Sequence, residues 1–204
     1  KDVISKNIIN NKYFKSDIIK ILKKADLNIT DIIIKEKEVS KDNKVSEYNH
    51  DDDVELIHSI NDNIELIHSI NNKNYSLKFG QESEGTKKYY SFSGILIILI
   101  SNFSTIVSID ELESSLHPEL FQHFLLTFLV NSKNSQLIAT SHYREILNNR
   151  DIFRDDAIWF TDKNEDSATE LYSLADFDSS VVRDTTNVLN AYKSGKLGGV
   201  PNLG

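Results

Sequence analysis

The apolar positions of the chain change period several times, and each change marks an element. Ile18, Ile19, Ile21, Leu22 and Ala25 fall at helical spacing behind Ser16, a candidate N-cap, which predicts a short amphipathic helix to about Asp26. An Ile-rich strand is expected over 28–39, and the wholly polar stretch 40–53, with Asp51, Asp52 and Asp53 in a row, reads as a mobile loop. Two near-copies follow, 54–60 (VELIHSI) and 64–70 (IELIHSI), joined by Asn61, Asp62 and Asn63. A β-rich pattern on both sides of turn formers predicts a hairpin and not a solenoid, which needs more copies. If Asp62 centres that turn, His58 and His68 are offset across the hairpin with no acidic partner on their face, so they are expected to be structural and not metal ligands. A strand over 75–79 then leads into the polar segment 82–88.

From here strands and helices alternate. The apolar stretch 89–102 reads as a helix, although the β-branched run Ile95–Ile100 is equally compatible with a strand on pattern alone. A strand over 105–109, a helix over 118–130, a strand over 136–140 and a helix over 144–149 come next. Continuous apolar strands between helices predict a parallel sheet buried on both faces. Two edge strands (157–161 and 170–174), a helix over 180–193 and a Gly-rich tail close the chain; the tail lacks the Ser/Thr and the strand–helix context of a phosphate loop. The fold class expected is therefore α/β, a mostly parallel sheet flanked by helices with a β-hairpin appendage. It is read as one domain over 1–204: helix and strand 1–39, loop 40–53, hairpin region 54–79, motif core 80–150, edge strands and C-terminal helix 151–204.

Composition narrows the function classes. With 204 residues, 39% hydrophobic and 26% charged, the chain is long enough to bury a core. It has no Cys, which excludes disulfides and thiolate metal sites. The apolar run around Ile95–Ile100 is too short for a bilayer and no leader pattern is present, so a cytoplasmic protein without a membrane partner is expected. A net charge of −8 argues against gripping DNA by charge alone, and Lys20, Lys23 and Lys24 read as a solvated helix face. The sequence contains no Met and opens at Lys1 inside an ordered-looking segment. The expectation is a fragment of a longer polypeptide, or a sequence short of its Met positions, in which case motif spacings would be short by a residue here and there.

The candidate chemistry lies between Glu82 and His142. A buried strand ending in Asp110 and Glu111 places both carboxylates at the C-terminal edge of a sheet, where ligands bind in open α/β folds. Asp110 is the candidate ligand for Mg²⁺ through its water shell, and Glu111 the candidate to polarise water attacking the γ-phosphate of ATP. The alternative, that the pair only caps a helix, fits poorly because the next helix opens at Pro118, seven residues after Glu111. His142, just past the following strand, could donate a hydrogen bond to the same phosphate. Ser83, Gly85 and Thr86 would present a hydroxyl, a backbone N–H and a second hydroxyl to it at a helix start, although S-x-G-T is equally a turn followed by an N-cap. Nowhere does G-x-x-x-x-G-K-[ST] occur, so the chain as given is not expected to be a self-sufficient ATPase.

Together, ESEGTKK (82–88), TIVSIDE (105–111), SSLHP (114–118) and IATSH (138–142) resemble the signature, Walker B, D-loop and switch-histidine segments of ABC-class ATPases of the SMC-like and OLD-like kind. The resemblance is closer still to AAA-domain ATPases of bacterial anti-phage and abortive-infection systems. The ending AYKSGKLGGVP (191–201) also looks like that group, so the likeness runs from about Asp17 to the end. It implies the C-terminal half of a P-loop ATPase head in which ATP is sandwiched between two protomers, switching the dimer between open and closed states. It also implies a separate effector, commonly a TOPRIM-type or other nuclease. The chain departs from the pattern in lacking Walker A and the glutamine loop. Two other readings stay open: an SMC-like DNA repair or organisation ATPase, against which stand the charge and the absence of heptads, and a non-catalytic module that docks on a partner supplying the phosphate loop.

Overall fold

The computed structural model describes residues 12–25, 27–35, 63–101, 104–149, 151–177 and 188–200. The polar loop 40–53, the first near-copy 54–60 with His58, and residues 178–187 lie outside them. The chain divides after Thr140 into two compact units, 1–140 and 141–204.

In the first unit, α1 (Lys12–Lys24) starts before Ser16, so Ser16 is an exposed residue within the helix and not its cap. Ile18 and Leu22 are fully buried, and Lys20, Lys23 and Lys24 are solvent-exposed, with Lys20 paired to Asp17 at 2.8 Å. The strands β1 (Ile29–Ile34), β2 (Ile64–Ile70) and β3 (Lys73–Lys78) form an antiparallel sheet in that order. This changes the hairpin reading. Both edges of the second near-copy are taken, by β1 (Ile34 opposite Ile64) and by β3 (Ile70 opposite Lys73), so its hairpin partner is β3. The connecting residues Asn71 and Asn72 have φ of 51° and 60°, the left-handed pair of a two-residue turn whose twist matches the strands.

The helix α2 (Glu84–Ile100) runs through the β-branched stretch that pattern alone left ambiguous. Burial decides it: Tyr89, Leu96 and Leu99 are fully buried, and α2 packs against both α1 and a later helix, α3 (Pro118–Asn131). Phe92 of α2 meets Phe124 of α3 with ring centroids 5.3 Å apart, and the Tyr89 hydroxyl hydrogen-bonds His123 Nδ1. Burial pushes the Tyr89 phenol well above its usual range, and burial with help from Lys24 lowers His123. Both groups are thereby kept neutral.

The strands β4 (Ile106–Ile109) and β5 (Gln136–Ala139) pair in parallel, Ile106 opposite Gln136 and Ile109 opposite Ala139, flanking α3 in sequence. Among the described residues this is the one parallel pair; the remaining sheets are antiparallel, so the expectation of a mostly parallel sheet is corrected. Nor are these strands buried on both faces, since Ile106 is 71% and Ile138 52% exposed.

The second unit holds β6 (Trp159–Lys163) and β7 (Thr169–Ser173), an antiparallel hairpin, and α4 (Val188–Lys193). The segment expected to be a helix after His142 is a short 3₁₀ turn, Arg144–Asn148. Leu147, Phe160, Leu174, Val188, Leu189 and Leu197 form the core of this unit. The Gly-rich tail is tied down: Tyr172 Oη donates to the Leu197 carbonyl (2.8 Å), Tyr192 Oη to that of Gly199 (2.9 Å), and the Gly199 N–H to Asp162 (3.0 Å). Gly198 has φ 66°, and a Cβ there would meet the Tyr172 hydroxyl at 2.2 Å, so the glycine serves a close backbone approach.

Candidate functional site

The polar segment before α2 folds as a capped helix start. Ser83 is the N-cap, its Oγ accepting from the Thr86 N–H at 3.1 Å and lying 2.8 Å from Thr86 Oγ1. The turn-plus-cap alternative is thus realised, and Thr86 is 8% exposed with its hydroxyl turned onto Ser83. Gly85, the second residue of the helix, is pressed against the Ser114–Ser115 loop: a Cβ on it would sit 3.2 Å from the Ser115 carbonyl. The loop itself consists of tight turns, Ser114 N–H to Glu111 O and Leu116 N–H to Glu113 O, both 2.9 Å, with Ser115 at φ 61°. It delivers Pro118 to the first turn of α3, as its spacing predicts.

Asp110 and Glu111 follow β4 directly and are exposed at the C-terminal edge of the parallel pair. Glu111 has φ 45°, a left-handed conformation that costs a non-glycine residue on the order of 1–3 kcal/mol and collects at functional sites. What holds it is Thr140, at the end of β5: its Oγ1 accepts from the Glu111 N–H at 2.9 Å and donates to Asp110. The Thr140 backbone completes the clasp, N–H to Ile109 O and O from the Leu112 N–H, both at 3.1 Å. Leu112, fully buried, anchors the far side of the turn.

The first unit therefore brings Ser83 together with Thr86, Gly85 with the Ser115 loop, and Asp110 and Glu111 with Thr140. His142 belongs to the second unit, where it is exposed and its carbonyl accepts from the Arg144 N–H at 2.9 Å.

Sequence reasoning missed two polar contacts here. The Thr140 clasp is one. The other is His68, whose Nε2 lies 2.7 Å from Glu82 Oε1, with side chains 15% and 6% exposed. The expectation that His68 has no acidic partner is corrected: the partner comes from the turn before Ser83, outside the hairpin. A signal existed, because His68 shares a strand face with the buried Ile64 and Leu66, and a polar group on a buried face needs a partner. Deleting one member strands the other, so Glu82→Ala is expected to cost about 1–3 kcal/mol of stability and Glu82→Gln less, read as a shift in urea midpoint. Equal, negligible shifts would show that the pair holds nothing.

The chemistry of these groups is of the kind a magnesium nucleotide takes. Two carboxylates at an open strand edge offer hard oxygen ligands, and the N-terminus of the 17-residue α2 carries the positive dipole end that favours phosphate. The family described as "AAA domain, putative AbiEii toxin, Type IV TA system" matches residues 3–148, well over half of the chain. The chain belongs to this family. The match takes in every candidate residue from Ser83 to His142 and stops before most of the second unit, so the tail likeness lies beyond it. No curated protein matches the chain. Membership makes this an AAA-type, nucleotide-binding ATPase-like domain. No helix among the described residues is long and apolar enough to cross a membrane.

Proposed function

We propose that this chain carries the signature turn, Walker B carboxylates, D-loop and switch histidine of an ABC-type P-loop ATPase head that hydrolyses ATP as a dimer and acts as a switch in bacterial phage defence. The observation that carries the reading is the Asp110–Glu111 pair at the end of a parallel strand, with Glu111 held left-handed by Thr140. Asp110 would hold Mg²⁺, which when bound neutralises phosphate charge. Glu111 would orient and polarise the water, and His142 would donate a hydrogen bond to the terminal phosphate. Ser83, Gly85 and Thr86 would face the nucleotide of a second protomer. A toxin-family description accords with a defence role, and the reading includes a separate effector protein of nuclease type.

A second reading is favoured by one observation. The chain has no phosphate-loop motif and leaves Ile106 and Ile138 exposed on β4–β5, so a partner polypeptide would supply the phosphate loop. Hydrolysis by the full-length polypeptide tests both. The expected result is Mg²⁺-dependent turnover that rises more steeply than linearly with protein concentration, because each site is split between two protomers. Linear dependence would count against the sandwich, and turnover appearing only when a second polypeptide is added would favour the partner reading. No hydrolysis in either arrangement would sink the ATPase assignment.

A further inference from the structure

We propose that Thr140 is a positioning residue for both carboxylates, a single hydroxyl setting the conformation of the nucleophile-activating Glu111 and the orientation of the cation-holding Asp110. The inference rests on the ATPase reading of that pair.

All of the polar atoms of Thr140 are engaged with the four residues 109–112. Its N–H donates to Ile109 O, its carbonyl accepts from the Leu112 N–H, and its Oγ1 accepts from the Glu111 N–H while donating to Asp110 Oδ1. A hydroxyl has one proton to give and lone pairs to accept with, so both bonds can be satisfied at once and each fixes the direction of the other. Glu111 at φ 45° turns its amide toward β5, and the Thr140 oxygen meets that amide at 2.9 Å. A backbone held in a sparsely populated region persists only where its surroundings over-determine it. Here the two backbone bonds of Thr140 fix the ends of the turn, Ile109 and Leu112, and its hydroxyl fixes the middle. The same oxygen occupies one carboxylate oxygen of Asp110, which removes the rotational freedom that carboxylate would otherwise lose on meeting a cation.

The discriminating pair is Thr140→Val, which keeps the shape and both backbone bonds but loses the hydroxyl, and Thr140→Ser, which keeps the hydroxyl. In the full-length polypeptide, Thr140→Val is expected to lower kcat by about 10–100-fold and to raise the Mg²⁺ concentration for half-maximal rate, with KM for ATP little changed; Thr140→Ser restores most of the rate. A purely structural role would move melting temperature without moving the Mg²⁺ dependence. Unchanged kcat and Mg²⁺ dependence in Thr140→Val overturns the proposal, as does a Ser variant as impaired as the Val one. Should Thr140→Val fail to fold, amide hydrogen exchange on the unsubstituted protein decides: the Glu111 amide is expected to be protected, and exchange at the unprotected rate overturns the clasp. Glu111→Gln separates the two failures, because full activity in that variant removes the catalytic reading of the Asp110–Glu111 pair on which the proposal rests, whereas its loss beside a normal Thr140→Val removes only the role of Thr140.

Discussion

Glu111→Gln is expected to reduce ATP turnover by about 10²–10⁴-fold while leaving ATP-driven dimerisation intact. Glutamine has nearly the volume of glutamate and keeps the N–H that bonds Thr140, so the left-handed turn at residue 111 survives. What disappears is the negative charge proposed to accept or polarise a proton of the attacking water. The groups proposed to bind nucleotide, Ser83 and Gly85 at the start of α2 and Asp110 beside the Thr140 hydroxyl, are untouched, so binding and chemistry separate. Steady-state hydrolysis together with light-scattering mass in ATP measures both halves. Turnover at the normal rate in this variant would refute the assignment of Glu111; loss of dimerisation along with turnover would mean that the carboxylate binds and does not act.

Phe124→Ala should be the most destabilising single truncation at the joint between α2 and α3. Phe124 is fully buried and meets the Phe92 ring at 5.3 Å with the planes tilted by 49°. Removing it loses the transfer energy of a whole ring and leaves a cavity that two helices cannot easily close, together about 3–5 kcal/mol. Against a total stability of about 5–15 kcal/mol that is a large fraction. A urea midpoint lowered accordingly, with Phe124→Leu affected much less, is the expected result. A shift of less than about 1 kcal/mol would show that the joint is not part of the cooperative core. The joint also supports the proposed nucleotide-facing groups, because α2 carries Ser83 at its tip and α3 is entered from the loop that backs onto Gly85.

Particular residues show why some of this was legible in the sequence and some was not. The strand ending at Asp110, the Pro118 helix start and the Ser83 cap are local: each follows from a handful of neighbouring residues whose periods and capping chemistry do not depend on anything distant. The apolar period places this helix over 89–102, whereas α2 starts at Glu84, because 84–88 is mostly polar and carries no apolar period; there the S-x-G-T cap chemistry is the local signal of the earlier start. The β-branched run within α2 could have been a strand until burial between α1 and α3 made the helix the better solution. The two near-copies defeat pattern reading altogether. Their sequences are nearly identical and turn formers flank Ile64–Ile70 on both sides, Asn61–Asn63 and Asn71–Asn72, so pattern alone does not choose its hairpin partner; in the structure the Asn71–Asn72 turn joins it to β3.

The amino-acid sequence by itself determined the order of the motifs, the α/β character, the two carboxylates at a strand end and that these 204 residues carry no phosphate-loop motif, since all of these are properties of residue type and short spacing. Tertiary structure alone decided that His68 is paired with Glu82, that both edges of β2 are filled, that Ile106 and Ile138 stand exposed, and that Thr140 clasps Asp110 and Glu111 from 30 and 29 residues away. The physical reason is the same in each case. A hydrogen bond, a strand pairing or a buried face is a relation between groups that only the closed chain brings within reach, and short-range preferences carry no information about which distant group that will be.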